Sequence, residues 1–220
     1  ISGLEQIQNS GTEAVINLLE SRIGVLEKTM ANTLSTSLYS DGTGSNGKEV
    51  GGLQLLVADA GTGTVGGINS STFTFFQNKQ TTATSSAFST TNIQADMNTI
   101  YLSLVRGADS PDLIMADTNS YKSFLGSLQA IQRVTSDRVA TSGFTSVQYL
   151  NSDVIFDDAC PTNKMYFLNT DYLRLEVAAN RNFVPGESRM SVSQDAMVQP
   201  MFWRGNLTCS NRALQGVIHV

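Results

Sequence analysis

Met165-Tyr-Phe-Leu-Asn-Thr-Asp-Tyr-Leu-Arg-Leu-Glu-Val177 is the stretch on which the fold of this chain turns. Met165, Tyr166, Phe167 and Leu168 form a short apolar run of strand length. Asn169, Thr170 and Asp171 then supply turn chemistry. Beyond them Leu173, Leu175 and Val177 alternate with Arg174 and Glu176, which is the period of a second strand.

Working outward, the C-terminal half keeps this character. Residues 147–149, 154–156, 197–209 and 217–220 are further strand candidates. Ahead of them, Pro111 to Ala116 reads as a buried strand leaving a turn. A helix is expected over 119–133, carrying Tyr121, Phe124, Leu125, Leu128 and Ile131. Another is expected over 92–106, with Ile93, Met97, Ile100 and Leu104 on one face and Gly107 as its stop. Residues 78–91 are almost all Gln, Thr, Ser and Ala and read as a surface loop. Leu53, Leu55, Leu56 and Val57 read as a short strand.

The strongest local signal lies near the start. Ser10 and Glu13 have capping-box spacing, in which each side chain bonds the other's backbone N–H. Val15, Leu19, Ile23, Leu26, Met30, Leu34 and Leu38 follow at helical spacing on one face, with Glu20, Lys28 and Asn32 elsewhere. A helix from Ser10 to Leu38 would be roughly 40 Å long, a strut for a domain of this size. Helices and strands mix without a regular βαβ rhythm, so the fold class is α+β.

Composition removes several functions. The chain has 220 residues, 40% hydrophobic and 15% charged, with a net charge of −5, so it can bury a sizeable core and is not globally disordered. No run of about 18 apolar residues is present to span a bilayer. The balance is acidic and no stretch concentrates Lys and Arg, which argues against a basic nucleic-acid binder. Cys160 and Cys209 lie far apart and read as small buried hydrophobes, with a disulfide as an alternative that no spacing supports. The chain opens at Ile1 within an apolar–polar pattern (Ile1, Leu4, Ile7), which suggests a fragment or a processed form.

Catalytic motifs fail on context. Gly42-Thr-Gly-Ser-Asn-Gly-Lys48 has phosphate-loop spacing, but a helix precedes it and Glu49 stands where a Mg²⁺-binding hydroxyl is needed. Gly61, Gly63 and Gly66 match a dinucleotide fingerprint, yet the β-prone Ile68 to Phe75 follows instead of a helix. The single histidine, His219, has no nucleophile elbow to serve. One His and two distant Cys make no zinc set. Asp153, Asp157 and Asp158 miss calcium-loop spacing and read as solvated turn carboxylates. No cofactor and no metal is therefore expected. Phe73, Phe75, Phe76 and the Met201-Phe-Trp203 run lack the surrounding cations of a single-strand binder and read as packing residues.

The 165–177 stretch resembles a pattern in the major capsid proteins of tailed phages, where a strand ends in Leu-Asn, turns at a Thr or Pro followed by Asp, and restarts as an alternating strand. Asp109-Ser-Pro-Asp-Leu-Ile-Met-Ala-Asp117 followed by a helix resembles a second element of that family. Trp203-Arg-Gly-Asn-Leu-Thr-Cys-Ser-Asn-Arg212 resembles its closing strands, and the Ser10 helix resembles its spine helix. The resemblance covers nearly the whole chain in order. It implies the Hong Kong 97-type capsid fold, α+β, with a long spine helix, a peripheral domain and an axial domain. Residues 1–87 (spine helix and glycine-rich loops) and 171–208 (long strands) are expected in the peripheral domain. Residues 88–170 and the terminal strand 209–220 are expected in the axial domain. The family has an arm and an extended loop before the spine helix, so this chain is expected to be an N-terminally truncated core.

What the resemblance further implies is a structural, non-enzymatic major capsid protein of a bacteriophage or prophage. It would self-assemble as pentamers and hexamers into an icosahedral shell around double-stranded DNA held without sequence recognition. Scaffold, protease, portal or decoration proteins would be its other partners, with no membrane involved. It would reside in the virion capsid, and in the host cytoplasm during assembly. Candidate subunit-interface residues are Glu20, Lys28, Arg133, Asp137, Arg174, Glu176, Arg181, Arg204 and Arg212. Two alternatives stand beside this reading: an encapsulin-like bacterial compartment shell, and a nucleotide-dependent enzyme using the Gly42–Lys48 loop.

Overall fold

The computed structural model describes residues 1–8, 12–128 and 147–220, and the backbone alone for 6, 8 and 12–19. The Ser10–Glu13 capping box, the side chains of Val15 and Leu19, the Ile131–Arg133 end of the third helix, and Asp137 lie outside the described residues. The chain divides into two units, Ile1–Ser35 with Leu175–Asn206, and Thr36–Arg174 with Leu207–Val220.

The larger unit is organised by alternation along its strands. Six strands form one mixed sheet in the order Lys79–Thr82, Gly216–His219, Lys164–Leu168, Leu113–Ala116, Ser152–Phe156, Val147–Tyr149. The first pair and the Leu113–Ala116/Ser152–Phe156 pair are parallel, and the other three are antiparallel. Register places Ile114 opposite Phe167 and Ala116 opposite Met165, with Ile218 also opposite Met165. These residues share one face, where they pack with Ile93, Met97, Ile100 and Leu104 of helix Ile93–Leu104 and with Phe124 of helix Thr118–Ser127. Met115, Tyr166, Leu168 and Val217 point the other way, into a second core with Tyr39, Leu53, Leu56 and Val57. A sheet covered on both faces explains why 165–168 is apolar without a break. Phe167 and Tyr166 are each fully buried, and Phe167 contributes roughly 1.5–3 kcal/mol of burial free energy.

Local chemistry sets the boundaries. Asp117 caps helix Thr118–Ser127, accepting from the backbone N–H of Ser120 at 3.0 Å and of Asn119 at 3.3 Å. Asn169 Oδ1 accepts from Asp171 N–H at 3.2 Å, which makes the turn after 168. Gly216 lets helix Ile93–Leu104 approach its strand: a Cβ there would lie 2.8 Å from Leu104 Cδ1 and 3.0 Å from Ile100 Cδ1.

Three expectations are corrected. Leu53, Leu55, Leu56 and Val57 form a helical turn, Leu53–Leu56, because Gly52 lies against the Leu38 carbonyl and turns the chain so that Leu53, Leu56 and Val57 share one buried side. Residues 79–82, read as loop, are a strand on the sheet edge. Its polar sequence reflects an edge that leaves Gln80 and Thr82 exposed. The 197–209 strand is three pieces, Met197–Val198, Met201–Phe202 and Gly205–Cys209, interrupted at Pro200, which cannot donate a ladder hydrogen bond, and at Arg204.

Both glycine loops are bends. Gly44–Gly47 is one irregular turn containing left-handed Ser45 and Asn46. Val65-Gly-Gly-Ile68 is a two-residue hairpin, and its central glycines have φ of 58° and 81°, as a type I′ turn requires.

In the smaller unit, helix Thr12–Ser37 contributes most of its length; its 26 residues make it about 39 Å long. Ile23, Leu26, Met30 and Leu34 are half-buried along one face, as their spacing predicts. Two short antiparallel pairs, Arg189–Met190 with Met197–Val198 and Val184–Pro185 with Met201–Phe202, form the β portion. The first residues of the chain add to the former: Ile1 and Met197 exchange backbone hydrogen bonds at 2.9 and 2.8 Å, and Gly3 N–H donates to Asp195 O at 2.8 Å. Ser2 and Glu5 form a capping box for helix Gly3–Gln8, with reciprocal bonds of 3.1 and 3.3 Å.

Candidate assembly surface

The charged residues singled out from sequence separate into exposed and buried groups. Glu20 and Lys28 are exposed on helix Thr12–Ser37. Eight residues apart, they stand about 12 Å from each other along the axis and do not pair. Arg174 and Glu176 are exposed on strand Leu173–Val177, which pairs with Gly205–Cys209. Arg204 is exposed and its backbone is held: its N–H donates to Arg181 O, and its carbonyl accepts from Ala178 N–H, both at 2.9 Å. Arg181 is exposed with its guanidinium 4.6 Å from the Phe202 ring centroid. Among the described residues none of these six joins an ion pair.

Arg212 differs from the others: it is fully buried and so leaves the set of surface residues. Its Nε donates to Leu56 O at 2.6 Å and its Nη2 to Asn78 Oδ1 at 3.0 Å, and the guanidinium lies 5.3 Å from the Phe76 ring centroid. Burial lowers its pKa, and no carboxylate offsets it among the described residues. The sequence distinguishes it poorly from its exposed neighbours, because one Arg beside Asn211 and Leu214 carries no periodic signal.

The ion pairs present were not anticipated. Arg22 Nη2 meets Glu5 Oε1 at 2.8 Å on the surface of the smaller unit. Lys164 Nζ meets Asp59 Oδ2 at 2.6 Å in the larger one, with Lys164 mostly buried. Ser2-x-x-Glu5 has the same spacing as the pair identified at Ser10 and Glu13, so sequence could have found the first half of the former site. Glu5 has its carboxyl lowered by the Ser2 backbone N–H and by the Arg22 charge.

Apolar surface is plentiful. Within the smaller unit a groove of about 390 Å³ is lined by Ile23, Leu26, Phe183, Pro185, Met197 and Met201. Met190, Val192 and Val198 are exposed on the same unit. Within the larger unit an open groove of about 820 Å³ has Phe88, Tyr121, Leu125, Phe156 and Val220 on its floor. Phe73 and Phe75 stand exposed and edge to face, 6.0 Å between centroids.

The chemistry of nucleophiles is muted. Burial pushes the Cys160 thiol up to about 12, and Cys209 is also raised by burial; both are free thiols. The rings of Tyr39 and Tyr166 lie 6.0 Å apart between centroids at a 45° tilt, and both phenols are raised by burial, Tyr39 additionally by donating to Asp157 Oδ2 at 2.6 Å. His219 Nε2 lies 3.2 Å from Gln80 Oε1. Among the described residues no cluster of His, Cys, Asp or Glu could hold a metal ion, and no described helix is long and apolar enough to cross a membrane. In the Gly42–Lys48 loop, the Glu49 carboxylate occupies the space beside Gly44, 2.2 Å from where a Cβ would stand. Negative charge there opposes a phosphate.

No family model matches the chain, and no curated protein matches it in sequence. Solved structures do match in fold. The capsid asymmetric unit of cyanophage A-1(L) covers 100% of this chain over 74% of its own, at a TM-score of 0.75 and 17% identity. The holo-SrpI encapsulin complex of Synechococcus elongatus PCC 7942 covers 100% of this chain over 70% of its own, at a TM-score of 0.61 and 11% identity. The fold they share with this chain is the Hong Kong 97-type capsid fold.

Proposed function

We propose that this chain, which has the Hong Kong 97-type fold, is the major capsid protein of a tailed phage or prophage, assembling into an icosahedral shell around double-stranded DNA. The observation that carries this reading is the match over the entire chain to a cyanophage capsid subunit, at a higher TM-score and identity than the match to the encapsulin. The exposed charges at Glu20, Lys28, Arg174, Glu176, Arg181 and Arg204, and the apolar grooves of each unit, are then the surfaces that meet neighbouring copies. An acidic chain suits a container wall that must not bind packaged phosphates tightly.

The test is made on particles. Density-gradient fractions from producing cells are assayed for this chain by mass spectrometry, for DNA after nuclease treatment, and for closed shells by electron microscopy. The reading expects the chain in closed particles holding nuclease-protected DNA. Closed particles with a protein cargo and no DNA support the encapsulin-like compartment instead. Small discrete oligomers in every fraction refute a shell of either kind.

A further inference from the structure

The loop after the long helix is closed at its base and open at its tip. Asp41 bridges Gly51, Gly52 N–H donates to Ser40 O at 3.0 Å, and Leu53 N–H donates to Leu38 O at 2.7 Å. Val50, Gly51 and Gly52 are buried, whereas Ser45 to Glu49 are all exposed. At the tip Ser45 and Asn46 have φ of 49° and 59°, a left-handed region costly for any residue with a Cβ. Gly47 continues it at 76°, and a Cβ built on Gly47 would meet nothing within 4 Å. Asn46 and Gly47 thus form an exposed Asn–Gly pair, the only one in the sequence, with open space beside the Gly47 Cα.

We propose that Asn46 is a site of spontaneous covalent modification. The backbone nitrogen of Gly47, losing its proton to solvent, attacks the Asn46 side-chain carbon Cγ. A C–N bond forms, the bond from Cγ to Nδ2 breaks, and ammonia leaves with the proton it needs. Water then opens the five-membered imide at either carbonyl, leaving aspartate or isoaspartate at 46. No oxidant or co-reactant other than water is required.

Among the described residues, Asp41, the other Asx before a glycine, and the asparagines before a serine each lack one part of this arrangement. Asp41 also precedes a glycine, but its Oδ1 is held by Thr43 N–H at 3.0 Å and Thr43 Oγ1 at 2.8 Å, and those bonds keep its carboxyl below the ordinary range. An ionised carboxylate is a poor electrophile. Asn69, Asn119 and Asn151 each precede a serine, and Ser70, Ser120 and Ser152 are all fully buried, which shields the attacking nitrogen. Asn119 Nδ2 is further held by Asn163 Oδ1 at 2.9 Å, and Asn69 Oδ1 by Ser71 N–H at 2.9 Å. Because the base of the loop is anchored independently, the change adds one negative charge beside Lys48 and Glu49 without loosening the unit.

The experiment incubates the purified protein in mildly alkaline buffer and samples it over time. The tryptic peptide 29–48 is fragmented by electron transfer, which distinguishes isoaspartate from aspartate and position 46 from position 41. Isoaspartate at 46 is expected to accumulate about tenfold faster than at 69, 119 or 151, the ratio that about 1.4 kcal/mol of barrier produces. Ammonia release should match it, and the thermal midpoint of the converted protein should stay at the parent value. Asn46→Gln should abolish that ammonia, and Gly47→Ala should slow position 46 by a similar factor. An intact Asn46, equal rates at all four asparagines, or ammonia release from Asn46→Gln at the parent rate overturns the proposal.

Discussion

Replacing Arg212 tests how the larger unit holds its loops. The side chain is fully buried and ties three segments: the Leu53–Leu56 turn through Leu56 O, the lead-in to the edge strand through Asn78 Oδ1, and Phe76 through its ring. Arg212→Met keeps the length and removes the charge. It leaves two buried acceptors unpaired, and each such orphan costs about 1–3 kcal/mol. Against that stands relief, because a buried cation without a carboxylate carries a desolvation penalty of several kcal/mol, and Nη1 has no hydrogen-bond partner among the described residues. The net expectation is a loss of about 2–3 kcal/mol. Arg212→Lys keeps the penalty but gives a compact, strongly hydrated ammonium that cannot span Leu56 O and Asn78 Oδ1 together. It should cost more, about 4 kcal/mol. The assay is urea denaturation of all three proteins at one protein concentration and one oligomeric state, since association shifts apparent stability. The expected order is parent, Met variant, Lys variant, with unchanged m-values. A Lys variant as stable as the parent, or a Met variant within about 0.5 kcal/mol of it, would refute the bridging role.

Further outcomes follow from the buried acids, the close helix contact and the exposed charges. The Cys160 thiol binds its proton more tightly folded than unfolded. Its contribution is therefore intact below the ordinary value of 9.0 and is lost as pH rises towards about 12. Tyr39 and Tyr166 act in the same direction from 10.0 upward. Stability in urea should fall above pH 9 with a slope growing by about 1.4 kcal/mol per pH unit for each group, and Cys160→Val should remove one such increment. A pH-independent midpoint across that window contradicts it. Gly216→Ala drives a methyl onto Leu104 and Ile100 and should cost about 1–3 kcal/mol by thermal unfolding, with a parent-like melting curve as the opposing result. Arg204→Glu should leave the subunit's circular dichroism unchanged and reduce the yield of closed particles by sedimentation; undiminished yields remove Arg204 from the assembly surface.

The central sheet was legible wherever burial left a period. Leu113 to Ala116, 165–168 and 217–219 lie in strands with apolar side chains on both faces, 147–149 lies in a strand with Val147 and Tyr149 on one, and the helix facing them showed Ile93, Met97, Ile100 and Leu104 at the spacing it uses. Residues 79–82 were illegible because an edge strand with Gln80 and Thr82 facing water needs no apolar residue to hold its place. The Leu53 turn was misread because four residues are too few to separate periods of two and 3.6; what decided it was Gly52 pressed on the Leu38 carbonyl, a contact 14 residues back along the chain. Arg212 was misplaced for the converse reason. Its partners Leu56 and Asn78 lie more than 130 residues away in sequence, so nothing local marks it as a core residue.

The long helix carries the same reasoning from fold to assembly. A helix of 26 residues draws most of its stability from burying its apolar face, yet Ile23, Leu26, Met30 and Leu34 are only half-buried and Val25 is 59% exposed. If the chain assembles into the shell proposed above, neighbouring copies are what would complete the packing of that stripe. In a closed shell every copy has neighbours on all sides, and an incompletely covered stripe contributes its remaining burial on assembly, at about 25 cal/mol per Å² before the costs of association. Substituting the half-buried Met30 by Glu should therefore lower the yield of closed particles more than it lowers the subunit's thermal midpoint. Equal losses in both would mean that the stripe serves only the fold of a single chain.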